Sequence, residues 1–381
     1  MKKTQQRMIE EIANCYSGGT PSRSNPKNYG GAISWVKSGE VDSRDIGSTG
    51  ESLTEDGLKN SSAKIVPAGS TLIAMYGATA GKVGKLEIDA ATNQAVLALV
   101  PNALVDHNYL YYAASNATND LLKKVQGSGQ PNLTAGLIRK QKVYLPDLIE
   151  QRHIVHILSA WDTAIEKTEK LIEAKEKRFS WLIKSLISDQ CRNWEHLQTE
   201  KIFKGVSEKK NGGEELLSVT QDRGVIPRTM LEGRVMSPEG STDSYKLIKR
   251  DDFAISLRSF QGGIEYSRYQ GLISPAYTVL RPKLKIDDEF YRHFFKSYLF
   301  IEKYLNIAVI GIRDGKQISI PDFMTVKIPY PPLEQQEQIA SVLNTARQEI
   351  DLLKKQAEAY RKQKRGLMQK LLTGQWRVGV D

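Results

Sequence analysis

Leu145-Pro-Asp-Leu-Ile-Glu-Gln-Arg-His-Ile-Val-His-Ile-Leu158 and Tyr330-Pro-Pro-Leu-Glu-Gln-Gln-Glu-Gln-Ile-Ala-Ser-Val-Leu343 stand 185 residues apart and decide the reading of this chain. Pro146, Leu148, Gln151, Ile154 and Leu158 recur as Pro331, Leu333, Gln336, Ile339 and Leu343. At the same offset Ile165, Lys170, Glu173, Ala174, Lys177, Leu182, Leu186 and Gln190 recur as Ile350, Lys355, Glu358, Ala359, Lys362, Leu367, Leu371 and Gln375. An ungapped match of this length marks a duplication. The chain reads as variable segment, repeat, variable segment, repeat.

Each repeat has the period of a long helix. Ile154, Leu158, Trp161, Ile165, Thr168, Ile172, Lys175, Phe179, Leu182 and Leu186 alternate in steps of four and three, a heptad seam. The second seam is Ile339, Leu343, Ala346, Ile350, Leu353, Ala357, Tyr360, Lys364, Leu367 and Leu371. Thr168, Lys175 and Lys364 interrupt the apolar stripe. Pro146 and Pro331-Pro332 precede the helices, where a missing N–H costs little, and Gly374 follows the second as a stop. A narrow stripe needs a partner. Two stripes of equal length and register make antiparallel pairing within the chain the simplest solution; a coiled coil that dimerises two chains is the alternative.

The segments 1–145 and 194–326 read as mixed domains of short strands. Candidate strands are Ala32–Val36, Ala63–Val66, Thr71–Met75 and Ala95–Val100 in the first, and Leu216–Val219, Phe253–Leu257 and Tyr277–Leu280 in the second. Helical stretches follow at Asn108–Ala114 and Glu289–Tyr298. Polar loops, Gln126–Asn132 and Gly311–Gln317, are expected to lead into final strands at Lys142–Leu145 and Thr325–Ile328. The expected fold class is α+β: two mixed domains related by a pseudo-two-fold (1–145 and 194–326), joined by helical regions 146–193 and 327–381 in an intramolecular antiparallel coiled coil.

The 381 residues include 54 Lys and Arg against 44 Asp and Glu, a net charge of +10. Both variable segments are mildly basic, which suits a phosphate backbone and is also common on surfaces that bind nothing. The first helix is not basic, so the coiled coil is expected to space the domains and not to wrap DNA. No apolar run reaches the ~18 residues of a membrane span, and the polar start lacks a signal core, so a cytoplasmic location is expected. Cys15 and Cys191 form no metal-binding or redox motif.

Catalytic signatures fail one by one. Gly77-Ala-Thr-Ala-Gly-Lys82 has a glycine spacing one residue short of a phosphate loop, and Val83 stands where a hydroxyl is needed. Asn25-Pro26-Lys27 and Ser274-Pro275-Ala276-Tyr277 miss the amino-methyltransferase tetrapeptide. His153 and His156 lack a supporting acid and read as surface or packing residues. Pro146-Asp147 with Glu173-Ala-Lys175 imitates a nuclease signature, but its second part lies on the coiled-coil helix. No catalytic or metal-binding residue is assigned.

The doubled helix entry resembles that of the specificity (DNA-recognition) subunits of type I restriction–modification systems. The carrying residues are Leu145-Pro-Asp-Leu-Ile-Glu-Gln151 and Ile328-Pro-Tyr-Pro-Pro-Leu-Glu-Gln-Gln336, with Leu371-Leu-Thr-Gly-Gln375 at the end of the second helix. Gly18-Gly-Thr-Pro-Ser22, Trp35-Val-Lys-Ser-Gly39 and Gly127-Ser-Gly-Gln-Pro-Asn132 resemble the family's first recognition domain. Asp147 departs from the family's second proline, and Gln335 from the glutamate that Glu150 keeps. The resemblance implies a non-enzymatic subunit with two target-recognition domains, each reading half of a split, asymmetric site on double-stranded DNA. It implies two methyltransferase subunits and restriction–translocation subunits as partners, which would hold S-adenosylmethionine and ATP. No cofactor is expected on this chain.

Base edges are read by polar and cationic loop residues. The candidates are Arg23, Lys37, Ser38, Tyr76, Thr79, Lys82, Ser128, Gln130 and Asn132 in the first domain. In the second they are Thr220, Gln221, Arg223, Arg258, Ser259, Gln261, Arg268, Tyr277, Arg313, Lys316 and Gln317. Two other readings remain open at this point: a coiled-coil scaffold with protein-binding domains and no DNA role, and a fused restriction–modification enzyme, which the missing motifs disfavour.

Overall fold

The structure is a computed structural model and describes residues 6–41, 44–125, 132–209, 213–231, 242–256, 262–310 and 317–379. The chain divides into two compact units, Met1–Thr168 with Gln356–Asp381, and Glu169–Lys355. Both long helices therefore contribute to both units. Among the described residues, no helix is long and apolar enough to cross a membrane.

Unit one contains β1 (Gln6–Met8), α1 (Ile9–Ile12), β2 (Ala13–Ser17), β3 (Tyr29–Val36), β4 (Asp45–Ile46), β5 (Glu51–Leu53), α2 (Glu55–Lys59), β6 (Ile65–Val66), β7 (Thr71–Ala74), β8 (Val83–Leu86), β9 (Ala90–Thr92) and β10 (Val96–Pro101). Then come α3 (His107–Val125), α4 (Ala135–Arg139), β11 (Lys142–Tyr144) and the long helix α5 (Leu148–Ile183). One sheet has the order β2-β10-β7-β8-β4 and a second the order β5-β3-β9-β6. The strand β7, Thr71-Leu-Ile-Ala74, is buried along its whole length, as expected of a central strand.

Unit two repeats the plan. Its elements are β12 (Glu195–Gln198), α6 (Thr199–Ile202), β13 (Phe203–Val206), β14 (Leu217–Thr220), β15 (Gly224–Pro227), β16 (Lys246–Ile248), β17 (Phe253–Ser256), β18 (Glu265–Tyr266), β19 (Gly271–Ile273) and β20 (Tyr277–Pro282). α7 (Asp288–Lys296), β21 (Val309–Ile310), β22 (Gln317–Ile318), α8 (Ile320–Thr325), β23 (Lys327–Tyr330) and α9 (Leu333–Leu371) follow. The main sheet has the order β13-β20-β17-β18, strand for strand the order of β2-β10-β7-β8. β1 pairs with β11 and β12 with β23 in the same antiparallel sense.

The duplication is also visible in the hydrogen bonds that seat each helix. Gln151 is fully buried; its amide donates to the carbonyl oxygens of Leu104 (3.1 Å) and Pro146 (2.9 Å) and accepts from the Asp106 N–H at 2.7 Å. Gln336 donates to the Pro331 carbonyl at 2.8 Å and accepts from the Asp287 N–H at 2.9 Å. The Tyr109 hydroxyl donates to the Tyr144 carbonyl at 2.6 Å, and the Tyr291 hydroxyl to the Pro329 carbonyl at 2.9 Å. The repeated glutamine is thus a buried clamp between the helix entry and the loop before α3 or α7. Glu150 is 1% exposed and forms two-pronged bonds with Arg377 at 2.6 to 3.0 Å, while Gln335 accepts from the Trp194 indole N–H at 3.0 Å. The departure at Gln335 follows from the partner: an indole donor needs an acceptor and no charge.

Within each unit the long helices run antiparallel. In unit one Glu150 meets Arg377, and Asp162 meets Lys364, so the partner number falls as the first rises. Trp161 packs edge-on against Tyr360 at 5.5 Å. In unit two Lys175 pairs with Glu349 and Glu176 with Lys354, both at 2.6 Å, and Arg347 lies over the Phe179 ring. Two of the three breaks in the apolar stripe, Lys175 and Lys364, are therefore cross-helix ion-pair positions. The third, Thr168, returns its hydroxyl hydrogen to the Ala164 carbonyl at 2.7 Å. Ile154, Leu158, Leu343, Ile350 and Leu371 are buried. Trp161, Ile165, Ile172, Phe179, Leu182, Leu186, Ile339, Leu353, Tyr360 and Leu367 are half-buried on otherwise exposed helices.

Several local expectations change. The 63–66 strand shortens to β6, and α3 runs on to Val125, well past Ala114. α7 ends at Lys296, so Tyr298 is outside it. Thr325 closes α8 and the last strand starts only at Lys327. The polar loops do not feed the final strands directly: α4 and α8 intervene, capped by Thr134, which accepts from the Leu137 N–H, and Ser319, which accepts from the Asp322 N–H. Those caps again stand 185 apart, a signal the sequence carried.

Replacing Gln336 by Ala leaves a buried N–H and a carbonyl unpaired, at about 1–3 kcal/mol for each group. Gln336→Ala and Gln151→Ala are expected to lower the denaturant midpoint clearly, whereas Gln335→Ala, which removes only an exposed contact, lowers it little. A second prediction concerns His293, whose ring is buried against Phe179 and Asn344. Burial first, and the neighbouring Arg292 charge second, push its pKa down from 6.5 to about 4. Between those values the unfolded chain binds the proton that the folded chain refuses, so stability falls as pH drops through this window. Denaturant midpoints measured from pH 7 to pH 4 should fall less steeply for His293→Gln than for the parent.

Candidate nucleic-acid interface

In unit one several of the turns that carry candidate residues lie against one another. Gly18 and Gly19 pass so close to neighbouring backbone that an added Cβ would lie 1.8 Å from the Thr92 carbonyl oxygen or 2.6 Å from the Ala63 nitrogen. Only glycine allows this approach. It lets the Trp35 indole donate to the Gly19 carbonyl at 3.2 Å, and the Tyr29 hydroxyl to the Pro21 carbonyl at 2.6 Å. The Gly-Gly-Thr-Pro and Trp-Val-Lys-Ser motifs are therefore one interlocked support. On it, the Arg23 guanidinium lies 4.4 Å from the Tyr29 ring centre.

Arg23 and Lys37 both reach Glu51, at 2.7 and 2.6 Å. Their hydrogen bonds, Arg23 first, hold the Glu51 carboxyl down at about 2. The pair is thus prearranged at the surface around one carboxylate. Beside it, the Thr79 hydroxyl donates to the Ser38 carbonyl at 2.8 Å, tying the β7–β8 turn to the turn after β3. The turn closes with Gly77 and Gly81 at positive φ and the Lys82 N–H on the Thr79 carbonyl. It joins two antiparallel strands and no helix follows it, unlike a phosphate loop. Tyr76 is exposed on the same turn, and Asn132 is adjacent, because the Leu133 N–H donates to the Met75 carbonyl. Seven predicted residues, Arg23, Lys37, Ser38, Tyr76, Thr79, Lys82 and Asn132, are brought together.

In unit two the gathering is smaller. Thr220 and Arg223 shape the β14–β15 turn: the Thr220 hydroxyl donates to the Gly224 carbonyl, and the Arg223 guanidinium to the Met230 carbonyl. Lys296, at the end of α7, donates to the carbonyls of Gln221 (2.9 Å) and Gly262 (2.8 Å) and pairs with Glu265. Lys296 was not among the predicted residues; its signal was a cation in the last turn of an aromatic helix. Tyr277 opens β20, opposite Ser256, and its carbonyl accepts from Lys246. Arg268 is spent on Glu289 at 2.6 Å, and Gln317 sits in the β21–β22 hairpin opposite Ile310. Ser128, Gln130, Arg258, Ser259, Gln261, Arg313 and Lys316 lie outside the described residues.

The assembled groups are donors and cations on rigid sheet ends, the chemistry that meets phosphates and base edges. Among the described residues, no group of three or more His, Cys, Asp or Glu side chains could hold a metal ion.

Comparison with known proteins decides the family. The type I restriction modification DNA specificity domain matches twice, over residues 1–176 and 200–359. The chain belongs to this family. It is a type I restriction–modification specificity subunit, the DNA-recognition component of such a system. It is 28% identical over 349 residues to the MjaVIII specificity subunit of Methanocaldococcus jannaschii, covering 82% of this chain and 80% of that one. It is 27% identical over 183 residues to the EcoR124I/EcoR124II specificity subunit of Escherichia coli, covering 45% of each. Its fold is similar to that of an S subunit from M. genitalium, with a TM-score of 0.58 over 98% of this chain and 97% of that one at 16% identity. A structure from a study of type I complex assembly and conformational transition gives 0.62 over 96% and 97% of the chains, at 14% identity.

Proposed function

We propose that this specificity subunit reads a split, asymmetric target on double-stranded DNA, with one half-site for each unit. The observation that carries the reading is the internal duplication of the recognition sheet and its helix clamp: β2-β10-β7-β8 with Gln151, and β13-β20-β17-β18 with Gln336. Two sheets of one plan but different loops suit two different sequences. In unit one the reading surface is the cluster around Arg23, Lys37, Thr79 and Asn132; in unit two it is the β14–β15 turn with its neighbours. The paired helices act as the spacer that sets the gap between the half-sites.

In this proposal the chain carries no reaction of its own. Two methyltransferase subunits and restriction–translocation subunits assemble on it, supplying S-adenosylmethionine and ATP chemistry on their own surfaces. The chain's contribution is to deliver them to one sequence.

Mobility-shift titrations should show sequence-selective binding to duplex DNA that weakens steeply with salt. Inserting one heptad into both helices, between Ile165 and Ile172 and between Ile350 and Ala357, adds about 10.5 Å. The required gap should then grow by about three base pairs at ~3.4 Å each, with both half-site sequences unchanged. Unchanged spacing would refute the spacer, and salt-insensitive or unselective binding would refute the reading head.

A further inference from the structure

In unit one a single carboxylate joins the recognition sheet to both long helices. Asp162 of α5 has its side chain 14% exposed. Its Oδ2 accepts the Tyr112 hydroxyl hydrogen at 2.6 Å and lies 3.5 Å from the Arg44 guanidinium; its Oδ1 accepts from Lys364 of α9. Arg44 immediately precedes β4, the edge strand of the main sheet, and also donates to the Tyr112 oxygen at 3.4 Å. Tyr112, on α3, is 1% exposed, and the Lys364 ammonium sits 5.3 Å from its ring centre. Four elements therefore meet on one side chain.

Such a junction is stiff for a physical reason. A buried carboxylate that loses one partner is left partly uncompensated, so the groups around it resist sliding. An apolar contact repacks more readily because it has no direction. The equivalent places in unit two use different groups, with Asn344 of α9 accepting from Arg292 of α7 at 2.7 Å and hydrogen-bonded to His293 at 2.9 Å. The residues 185 from Asp162 and Lys364 are Arg347 and Phe179. There, Phe179 packs edge-on against His293 of α7 at 5.8 Å, and Arg347 lies over the Phe179 ring. The ion pair Arg347 makes there is with Asp351 of its own helix, at 3.6 Å.

We infer that Asp162 is a positioning residue for target reading. It fixes the angle of the unit-one recognition sheet on the helix pair, and with it the number of base pairs tolerated between the half-sites. This rests on the split-site reading above. Asp162 acts through Arg44, Tyr112 and Lys364 and makes no contact with DNA.

The test uses the full chain and duplexes carrying the two half-sites defined by methylation mapping in the host. The gap is kept native, shortened by one base pair or lengthened by one. The parent should prefer the native gap by about tenfold, a difference of about 1.4 kcal/mol. Asp162→Asn and Tyr112→Phe should cut that preference to about threefold or less, with native-gap affinity and base preferences within each half-site retained. Tyr112→Phe keeps the buried ring and removes only the hydroxyl. Undiminished gap preference in both variants overturns the inference, and so does an equal loss of affinity at all three gaps, which marks a structural role alone. A parent without any gap preference overturns the split-site reading itself.

Discussion

The antiparallel pairing of α5 with α9 is the interaction on which the rest depends. Each helix has one apolar stripe, too narrow to be stable alone and matched by the other in length and register. The polar residues in the stripes are part of the pairing: Lys175 finds Glu349, and Lys364 finds Asp162. The Lys175–Glu349 pair is half-exposed and contributes little to stability, while the Lys364–Asp162 pair is largely enclosed; both select which helix faces which. The pairing also explains why a chain with two heads can close each unit with helices distant in sequence. Glu150 at the start of α5 is neutralised by Arg377, beyond the end of α9.

Much of this was legible in the sequence because it obeys local rules. Heptad spacing identified both helices and their seam, and the offset of 185 tied the halves together. The same offset held in the Gln151 and Gln336 clamps and in the Thr134 and Ser319 caps. Central strands such as β7 and β17 announced themselves through short apolar runs. What escaped were elements defined by distant partners. β1, Gln6-Arg-Met8, has no alternation of its own and exists because β11 pairs with it. α4 and α8 are single turns held by caps, below the length at which periodicity speaks.

The candidate interface was legible as residue types, but not as geometry. Arg23 and Lys37 were chosen as loop cations; that both converge on Glu51, with Arg23 over the rings of Tyr29 and Trp35, could not be read from spacing. The glycine pair Gly18-Gly19 was noticed as a motif, and the close approach to Thr92 and Ser62 gives its physical cause. Arg268 was likewise chosen as a loop cation, and its pairing with Glu289 at 2.6 Å was equally invisible to spacing. The two units share a scaffold and differ in loops.

Mapping methylated positions across the host genome, with and without this chain, tests the central claim most directly. The account predicts an asymmetric motif of two short specified stretches separated by a fixed number of unspecified bases, lost entirely when the chain is absent. A single uninterrupted motif, or a methylation pattern indifferent to the chain's removal, would contradict it.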